Sequence, residues 1–237
     1  MLLDKLLSNL KYGSRKDVKT LIKNHQIKVN NEIVNSPSIK INPSKDIIFI
    51  NDEEVIYHKI INLMIYKPIG YLSANKDNMH QTVMELLEED LLRYDLKIAG
   101  RLDLTSEGLL ILTSSGRFAH RITNPNFKVN KVYEVTLDRL INNYEELLKG
   151  VIIKDGNNND YLAKALLIER INDNILHITI NEGKFHQVRR MFEKINYKVI
   201  NLKRIKIGNL ELADLKPGEY QFFKEEDFYD GDFNASL

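Results

Sequence analysis

The stretch from Ala99 to Gly116, AGRLDLTSEGLLILTSSG, limits the fold more tightly than any other part of the chain. Asp103 stands between Leu102 and Leu104, two residues after Arg101, and is bracketed by Gly100 and Gly108. Glycine on both sides lets the backbone turn tightly or approach another chain closely. Leu109 to Leu112 form a short apolar run that reads as a buried strand. Thr113, Ser114 and Ser115 are N-cap candidates for a helix through Phe118 to Ile122. The pattern predicts one carboxylate held on a loop at the mouth of a sheet, with a cation nearby. The same spacing also fits an acid that only closes a turn.

With 237 residues, 43% hydrophobic and 28% charged, the chain has room for one large domain and a small one. It contains no cysteine, which excludes disulfides and cysteine-based nucleophiles or metal sites. The six His show no metal-ligand spacing. No apolar run approaches the roughly 20 residues of a membrane span, and MLLDKLLSNL is too short and amphipathic for a signal peptide. A cytoplasmic, monomeric protein with no membrane contact is expected. The formal charge of +1 conceals an uneven distribution. Residues 1–28 hold seven Lys/Arg against two Asp/Glu, and residues 209–237 two against eight. The basic front end suggests a polyanionic partner, and the acidic end a solvated face.

Taken in order, Leu3, Leu6, Leu7 and Leu10 share one helix face. Ser14 caps a second helix with Asp17 at the capping-box position and Val18, Leu21 and Ile22 as its apolar side. Arg15, Lys19 and Lys23 form a basic stripe opposite. Ile27 and Val29 alternate up to Asn30-Asn31, a hairpin signal, and a strand restarts at Glu32. Asn51 to Lys59 reads as a linker, Ile60 to Tyr66 as a strand, KPIGYLS as a turn, and Thr82 to Leu92 as one helix carrying Val83, Leu86 and Leu87 inward. Arg117, His120 and Arg121 fall on one side of the GRFAHRITN segment. Strands are expected at Lys131–Leu137, Tyr161–Glu169, Ile175–Ile180 and, last, Val199–Ile207, with a short helix at Tyr144–Gly150 and another at the C-terminus. In NEGKFHQVRRMFEKI, a turn at Glu182-Gly183 precedes a helix packing Phe185, Val188, Phe192 and Ile195 on one face, with Lys184, His186, Arg189 and Arg190 at its start and polar side.

The words GRLD, TSEGLLILTSSG and EGKFHQVRRM, in this order, resemble the motifs of the bacterial pseudouridine synthases, in particular the RsuA branch that acts on the small ribosomal subunit. Residues 1–50, from LDK through GSR to IKVNNEIV, resemble an S4-type RNA-binding domain. Leu2 stands where that domain usually has a basic residue, and Asn24 and Asn31 where glycine is common. Asn is a good substitute for glycine in a left-handed conformation. The resemblance implies an α+β chain: an S4-like domain over 1–50, a linker over 51–59, and a catalytic domain over 60–237 built on a mixed, mainly antiparallel sheet with flanking helices. It implies isomerisation of uridine to pseudouridine in ribosomal RNA, with no cofactor and no metal. Asp103 is then the catalytic residue, Tyr133 of the Lys-x-Tyr pattern stacks on the target base, and Lys184 pairs with the Asp. Lys67-Pro68 with Gly70 would help to shape the cleft. Arg101 contacts RNA beside the flipped nucleotide, Ile178 lines the pocket, and Arg189 joins the RNA contacts or replaces Lys184 as the charge partner. Arg15, Lys19 and Lys23 would hold phosphates. A sibling acting on the large subunit and a non-catalytic S4-type assembly protein are the competing readings.

The chemistry suits these residue types. The N1–C1′ bond breaks, the base turns, and C5 is joined to C1′, so water has to be kept out and one carboxylate suffices where a glycoside hydrolase uses two. Burial alone would disarm that carboxylate, and a nearby cation restores its charged form. The sequence leaves open attack at C1′, attack at the base, and assistance of glycal formation.

Overall fold

The computed structural model describes residues 1–229, which form two compact units, one of residues 1–60 with 87–95 and one of residues 61–86 with the chain from 96 onward. The first unit opens with α1 (Leu3–Asn9) and α2 (Arg15–Lys23). Ser14 and Asp17 close the expected capping box, each side chain bonding the other's backbone N–H, a device worth about 1 kcal/mol. Strands β1 (Ile27–Val29), β2 (Glu32–Ile33), β3 (Ile48–Ile50) and β4 (Glu53–Glu54) form a sheet in the order β2-β1-β3-β4. The leucines of α1 and Val18 and Ile22 of α2 pack on its apolar residues.

Three expectations are corrected here. Residues 51–55 are not linker: Asn51 and Asp52 take φ of 51° and 69° and turn β3 into β4, and Val55 is buried in the same core. The helix expected over Thr82–Leu92 is two pieces, a 3₁₀ turn at Val83–Leu86 and the short α3 (Glu89–Leu92), because Glu88 is extended (ψ 152°). The second piece belongs to the first unit, where Arg93 covers the Tyr12 ring and the Tyr94 hydroxyl accepts from the His58 N–H. The left-handed residue after α2 is His25 (φ 57°), whereas Asn24 has φ −84°; Asn31 is left-handed as expected.

The second unit contains β5 (Asn62–Lys67), β6 (Lys97–Ala99), β7 (Glu107–Thr113), α4 (Gly116–Thr123), β8 (Lys131–Leu137), α5 (Glu145–Lys149), β9 (Val151–Lys154), β10 (Asp160–Ala163), β11 (Leu167–Arg170), β12 (Ile175–Ile180), α6 (Gln187–Lys194), β13 (Val199–Ile207), β14 (Leu210–Glu211) and β15 (Tyr220–Phe222). The main sheet runs β11-β12-β8-β13-β7-β5-β15, with β14 on β13 and β6 on β7. It is the expected mixed, mainly antiparallel sheet, its one parallel pair among the described residues being β13 with β7. The strand expected over Tyr161–Glu169 is divided: β10 pairs with β9 in a separate ribbon, and β11 joins the main sheet. Val199–Ile207 is not the last strand, since β15 pairs with β5 before a 3₁₀ turn at Glu225–Phe228. The acidic end of the chain from 230 on lies outside the described residues.

One irregularity positions the site. The second edge of β7 is shared: β6 pairs with its upper end, Ile111 to Thr113, and β13 only with Glu107 and Gly108. The loop from Gly100 to Ser106 emerges at this fork. Gly108 (φ 104°) is obligatory there, because a Cβ would stand 2.3 Å from the Arg204 carbonyl oxygen.

Candidate active site

Every carbonyl of the loop Leu102–Ser106 has a donor. Ser73 Oγ donates to Leu102 O (2.8 Å) and accepts from Leu102 N (3.0 Å). Ser106 N donates to Asp103 O (3.1 Å) and Gly70 N to Leu104 O (2.9 Å). Arg189 Nη2 donates to Thr105 O (3.0 Å) and Lys67 Nζ to Ser106 O (2.7 Å). The KPIGYLS turn therefore acts as a clamp: its Lys67, Gly70 and Ser73 hold three successive parts of the loop. A side chain carried on such a loop is held in place before any substrate arrives.

That side chain is Asp103. Its carboxylate is about one-third exposed, and His186 Nε2 lies 3.5 Å from Oδ1. The imidazole is placed by an unusual backbone: His186 takes φ 51° at the N-cap of α6, and its ring stacks on Phe185 at 3.9 Å. Phe185 itself is 51% exposed and precedes the helix, so it does not join Val188 and Phe192 on the buried face as expected.

The cation expected beside Asp103 was Lys184, and the structure places it elsewhere. Lys184 is exposed, with its Nζ 5.7 Å from the centre of the Tyr161 ring and no carboxylate within ion-pair distance among the described residues. Its main-chain N–H is held by Gln187 Oε1 (3.0 Å). The guanidinium on the Asp103 loop belongs to Arg189, which also donates to Val199 O (3.1 Å) and leaves a buried Nε without a partner. Burial lowers the Arg189 pKa, and the Asp103 charge opposes that shift. Lys67 feels Asp103 in the same way: burial pulls it down to about 8, with Asp103 acting against the pull.

Tyr133 lies on β8 and Ile178 faces it on β12, both buried on the inner side of the sheet. Arg204 of β13 is the cross-strand partner of Tyr133 on the other side. Its guanidinium fills the fork: Nε donates to Leu109 O (2.8 Å), Nη2 to Gly100 O (2.7 Å) and Nη1 to the Tyr133 hydroxyl (3.4 Å). Arg101, next to Gly100, is exposed. Arg15, Lys19 and Lys23 are exposed along α2 in the first unit. His120 is tied to Asn124 (3.1 Å) and packs edge-on against Phe127.

The sequence reading passed over Ser73, Arg204 and His186 as site residues and took Lys67 for part of a turn. The KPIGYLS turn signalled a cleft but not a clamp, and Arg204 sits in a run of alternating Lys and Arg that looks solvated. A cleft of about 600 Å³ opens on the other face of the sheet, lined by His177, Lys203 and Lys206. It is not the site, since Lys203 pairs with Glu134 and so points away from Tyr133 and Arg204. Among the described residues, no group of three or more His, Asp and Glu side chains is arranged to hold a metal, and no helix is long and apolar enough to cross a membrane.

Comparison with known proteins identifies the family. Residues 61–194 match the RNA pseudouridylate synthase family and residues 1–47 the S4 domain. The chain is 35% identical over 230 residues to the ribosomal small subunit pseudouridine synthase A of Escherichia coli, covering 96% of this chain and 98% of that one. It is 38% identical over 236 residues to an uncharacterized RNA pseudouridine synthase of Bacillus subtilis, covering 97% of both. A crystal structure of a pseudouridylate synthase superposes with a TM-score of 0.65 at 32% identity, covering 96% of this chain and 98% of that one.

Proposed function

Since the chain belongs to the RNA pseudouridylate synthase family and carries an S4 domain, we propose that it converts a uridine of small-subunit ribosomal RNA to pseudouridine, with Asp103 as the catalytic carboxylate. The observation that carries the reading is the loop Leu102–Ser106, clamped at every carbonyl with one carboxylate left free to act. The choice of the small subunit rests on the relatives named for it, which match this chain nearly end to end.

In this reading the target uridine leaves its stack at a cost of a few kcal/mol. Its base lies on the Tyr133 ring, a contact that returns about one to three, with Ile178 beside that ring on β12. Arg101 meets the RNA beside the vacated place. Arg189 is the cation on the Asp103 loop, and Lys184 serves the rim as an RNA contact. Arg15, Lys19 and Lys23 hold phosphates, which adds affinity without reading sequence. The base filling the space above Asp103 excludes water while the N1–C1′ bond is open. The enzyme works as a cytoplasmic monomer.

The test is pseudouridine mapping of ribosomal RNA from a deletion strain complemented with wild type or with Asp103→Asn. One small-subunit position should lose the modification and regain it only with wild type. Loss at a large-subunit position would overturn the substrate assignment, and restoration by Asp103→Asn would overturn the role of the carboxylate.

A further inference from the structure

The synthase unit buries more positive charge than one carboxylate accounts for. Lys67 is 0% exposed and Arg204 1%, the two bulkiest fully buried polar side chains. Neither has a carboxylate within 4 Å among the described residues. Lys67 Nζ donates to Pro68 O (2.8 Å) and Ser106 O (2.7 Å), and Arg204 donates to Leu109 O, Gly100 O and the Tyr133 hydroxyl. Lys131, 7% exposed, adds a third cation whose Nζ ends on Val129 O (3.0 Å). Burial pulls Lys67 and Lys131 down and Arg204 adds to the pull on each, while Asp103 and Glu107 oppose it at Lys67 and Glu182 opposes it at Lys131. An unpaired buried charge is costly to keep. Asp103, Glu107 and Glu182 act on these cations from a distance and Arg189 already stands on the Asp103 loop, so the charges of Lys67 and Arg204 can answer a negative charge that arises in the site.

The reaction creates one. When the N1–C1′ bond breaks, its electron pair leaves with N1, and the base becomes an anion whose charge spreads to O2 and O4. The electron deficiency at C1′ is met by the Asp103 carboxylate or by loss of the C2′ proton. Rejoining uses a ring electron pair to form C5–C1′ as the Asp103 carboxylate leaves C1′ or as a proton returns to C2′; the C5 proton then departs and N1 takes one up, so nothing is consumed. Preorganised charge in a dry site is most effective where charge develops in the transition state.

We propose that Lys67 and Arg204 are positioning residues whose buried charges stabilise the departing uracil anion, Arg204 acting from behind the Tyr133 ring and Lys67 from beneath the Asp103 loop. This rests on the roles given above to Asp103 and Tyr133. The rival account is that the Arg204 guanidinium only fills the fork between β6 and β13 and that Lys67 only clamps the loop.

Leaving-group chemistry separates the two. Small-subunit rRNA is transcribed with uridine or with 5-fluorouridine in its place, and single-turnover loss of the N-glycosidic nucleoside is followed by digestion and mass spectrometry. Mildly acidic pH keeps the fluorinated base neutral. Fluorine stabilises the departing anion by itself, so less help is needed from the protein. Arg204→Gln and Lys67→Met should lose about 10²–10³-fold on uridine RNA and a clearly smaller factor on fluorinated RNA, while Arg204→Lys, which keeps the charge, should recover much of the uridine rate. Equal losses on both substrates would overturn the proposal in favour of a structural role. So would equal losses joined to a shifted acid limb, which would mean that the charges serve Asp103. Thermal melts identify a variant that fails to fold, and if Arg204→Gln does, Lys67→Met decides alone. Asp103→Asn should be inactive on both RNAs; turnover there would sink the reading of Asp103 and not the role of the cations.

Discussion

Cations are handled in opposite ways in the two units. In the first, Arg15, Lys19 and Lys23 stand exposed at i, i+4 and i+8 on α2, fully solvated. In the second, Lys67, Arg204 and Lys131 are buried and bonded to main-chain carbonyls. A solvated charge is inexpensive, is weakened by salt, and adds affinity for a polyanion. A desolvated one destabilises the fold and is scarcely screened, so its benefit has to arise locally, in the chemistry. The difference predicts that the first group controls how tightly RNA binds and the second how fast it reacts.

The largest effect expected from this contrast is at Tyr133, the one side chain among the described residues that hydrogen-bonds the Arg204 guanidinium. Tyr133→Phe keeps the ring and removes the hydroxyl that accepts from Nη1. If the hydroxyl also helps to remove the C5 proton, turnover should fall by about 10²–10⁴ while RNA binding stays near wild type. Stability should drop by about 1–3 kcal/mol, because a buried donor loses its acceptor. Single-turnover kinetics, a filter-binding curve and a thermal melt measure the three separately. A Phe variant that turns over normally would leave Tyr133 only its stacking role.

Next in size is the response to alkaline pH. With Lys67 drawn down to about 8 by burial, activity should fall as pH rises through that value and the charge disappears. Stability should move the other way. Between about 8 and the ordinary lysine value near 10.5, the unfolded chain binds a proton at this position that the folded one does not, so folding gains with pH. Lys67→Met should flatten the alkaline limb, and the stability difference between wild type and this variant should shift toward wild type across the same window. Lys131, also near 8, is common to both proteins and cancels in the comparison. Urea melts and rate profiles at several pH values test it; a wild-type alkaline limb unaltered in Lys67→Met would exclude Lys67.

How far these groups could be read from the chain depends on what each answers to. The α2 stripe is legible because its spacing is local, and the Ser14–Asp17 box that starts the helix is equally local. So are the alternation of Lys131–Leu137, matched residue for residue by β8, and the apolar run inside β7. The buried cations are not legible in this way. Arg204 lies in VINLKRIKI, where only a register shift between Arg204 and Lys206 and the fork beside β7 decide which basic residue turns inward. Lys67 ends a strand and begins a Pro/Gly turn, a pattern that carries no sign of the loop it clamps. The EGKFHQ segment misled for a related reason. Helical periodicity put Phe185 on a buried face, but the left-handed His186 starts α6 two residues later and leaves Phe185 outside. Resemblance to the synthases pointed to Asp103 as the candidate carboxylate; the surroundings of Asp103 needed the tertiary structure.

A smaller effect should come from the exposed group. Replacing Arg15, Lys19 and Lys23 by Gln together removes up to three phosphate contacts, so the slope of log K against log salt should flatten by about two, at 0.7–0.9 per contact. Turnover of RNA bound at saturation should stay the same, and so should the melting temperature, since all three are exposed and none is paired with a carboxylate among the described residues. An unchanged slope would make the stripe an ordinary solvated face and would leave the first unit's contribution to RNA affinity to other residues.

The smallest effect is predicted for Lys184, the residue from which the sequence led us to expect a large one. Its resemblance to the family pattern suggested the charge partner of Asp103, yet its Nζ stands over the Tyr161 ring, in contact with solvent. By the contrast drawn above it belongs with the exposed cations although it lies in the synthase unit. A cation over an aromatic ring at an exposed site contributes about 0.5–1 kcal/mol, so Lys184→Met should cost no more than that in stability and a few-fold in RNA affinity. The acid limb of the rate profile should stay where it is. Arg189→Met is the matched control. Its guanidinium holds the Asp103 loop and feels the Asp103 charge. Removing it should lower the rate on bound RNA far more than Lys184→Met does, because the loop that carries Asp103 loses a clamp. Rate profiles of the two variants on the same RNA decide the matter. A shifted limb in Lys184→Met with none in Arg189→Met would restore Lys184 as the partner, and would mean that the RNA-bound enzyme rearranges the segment from Gly183 to Gln187.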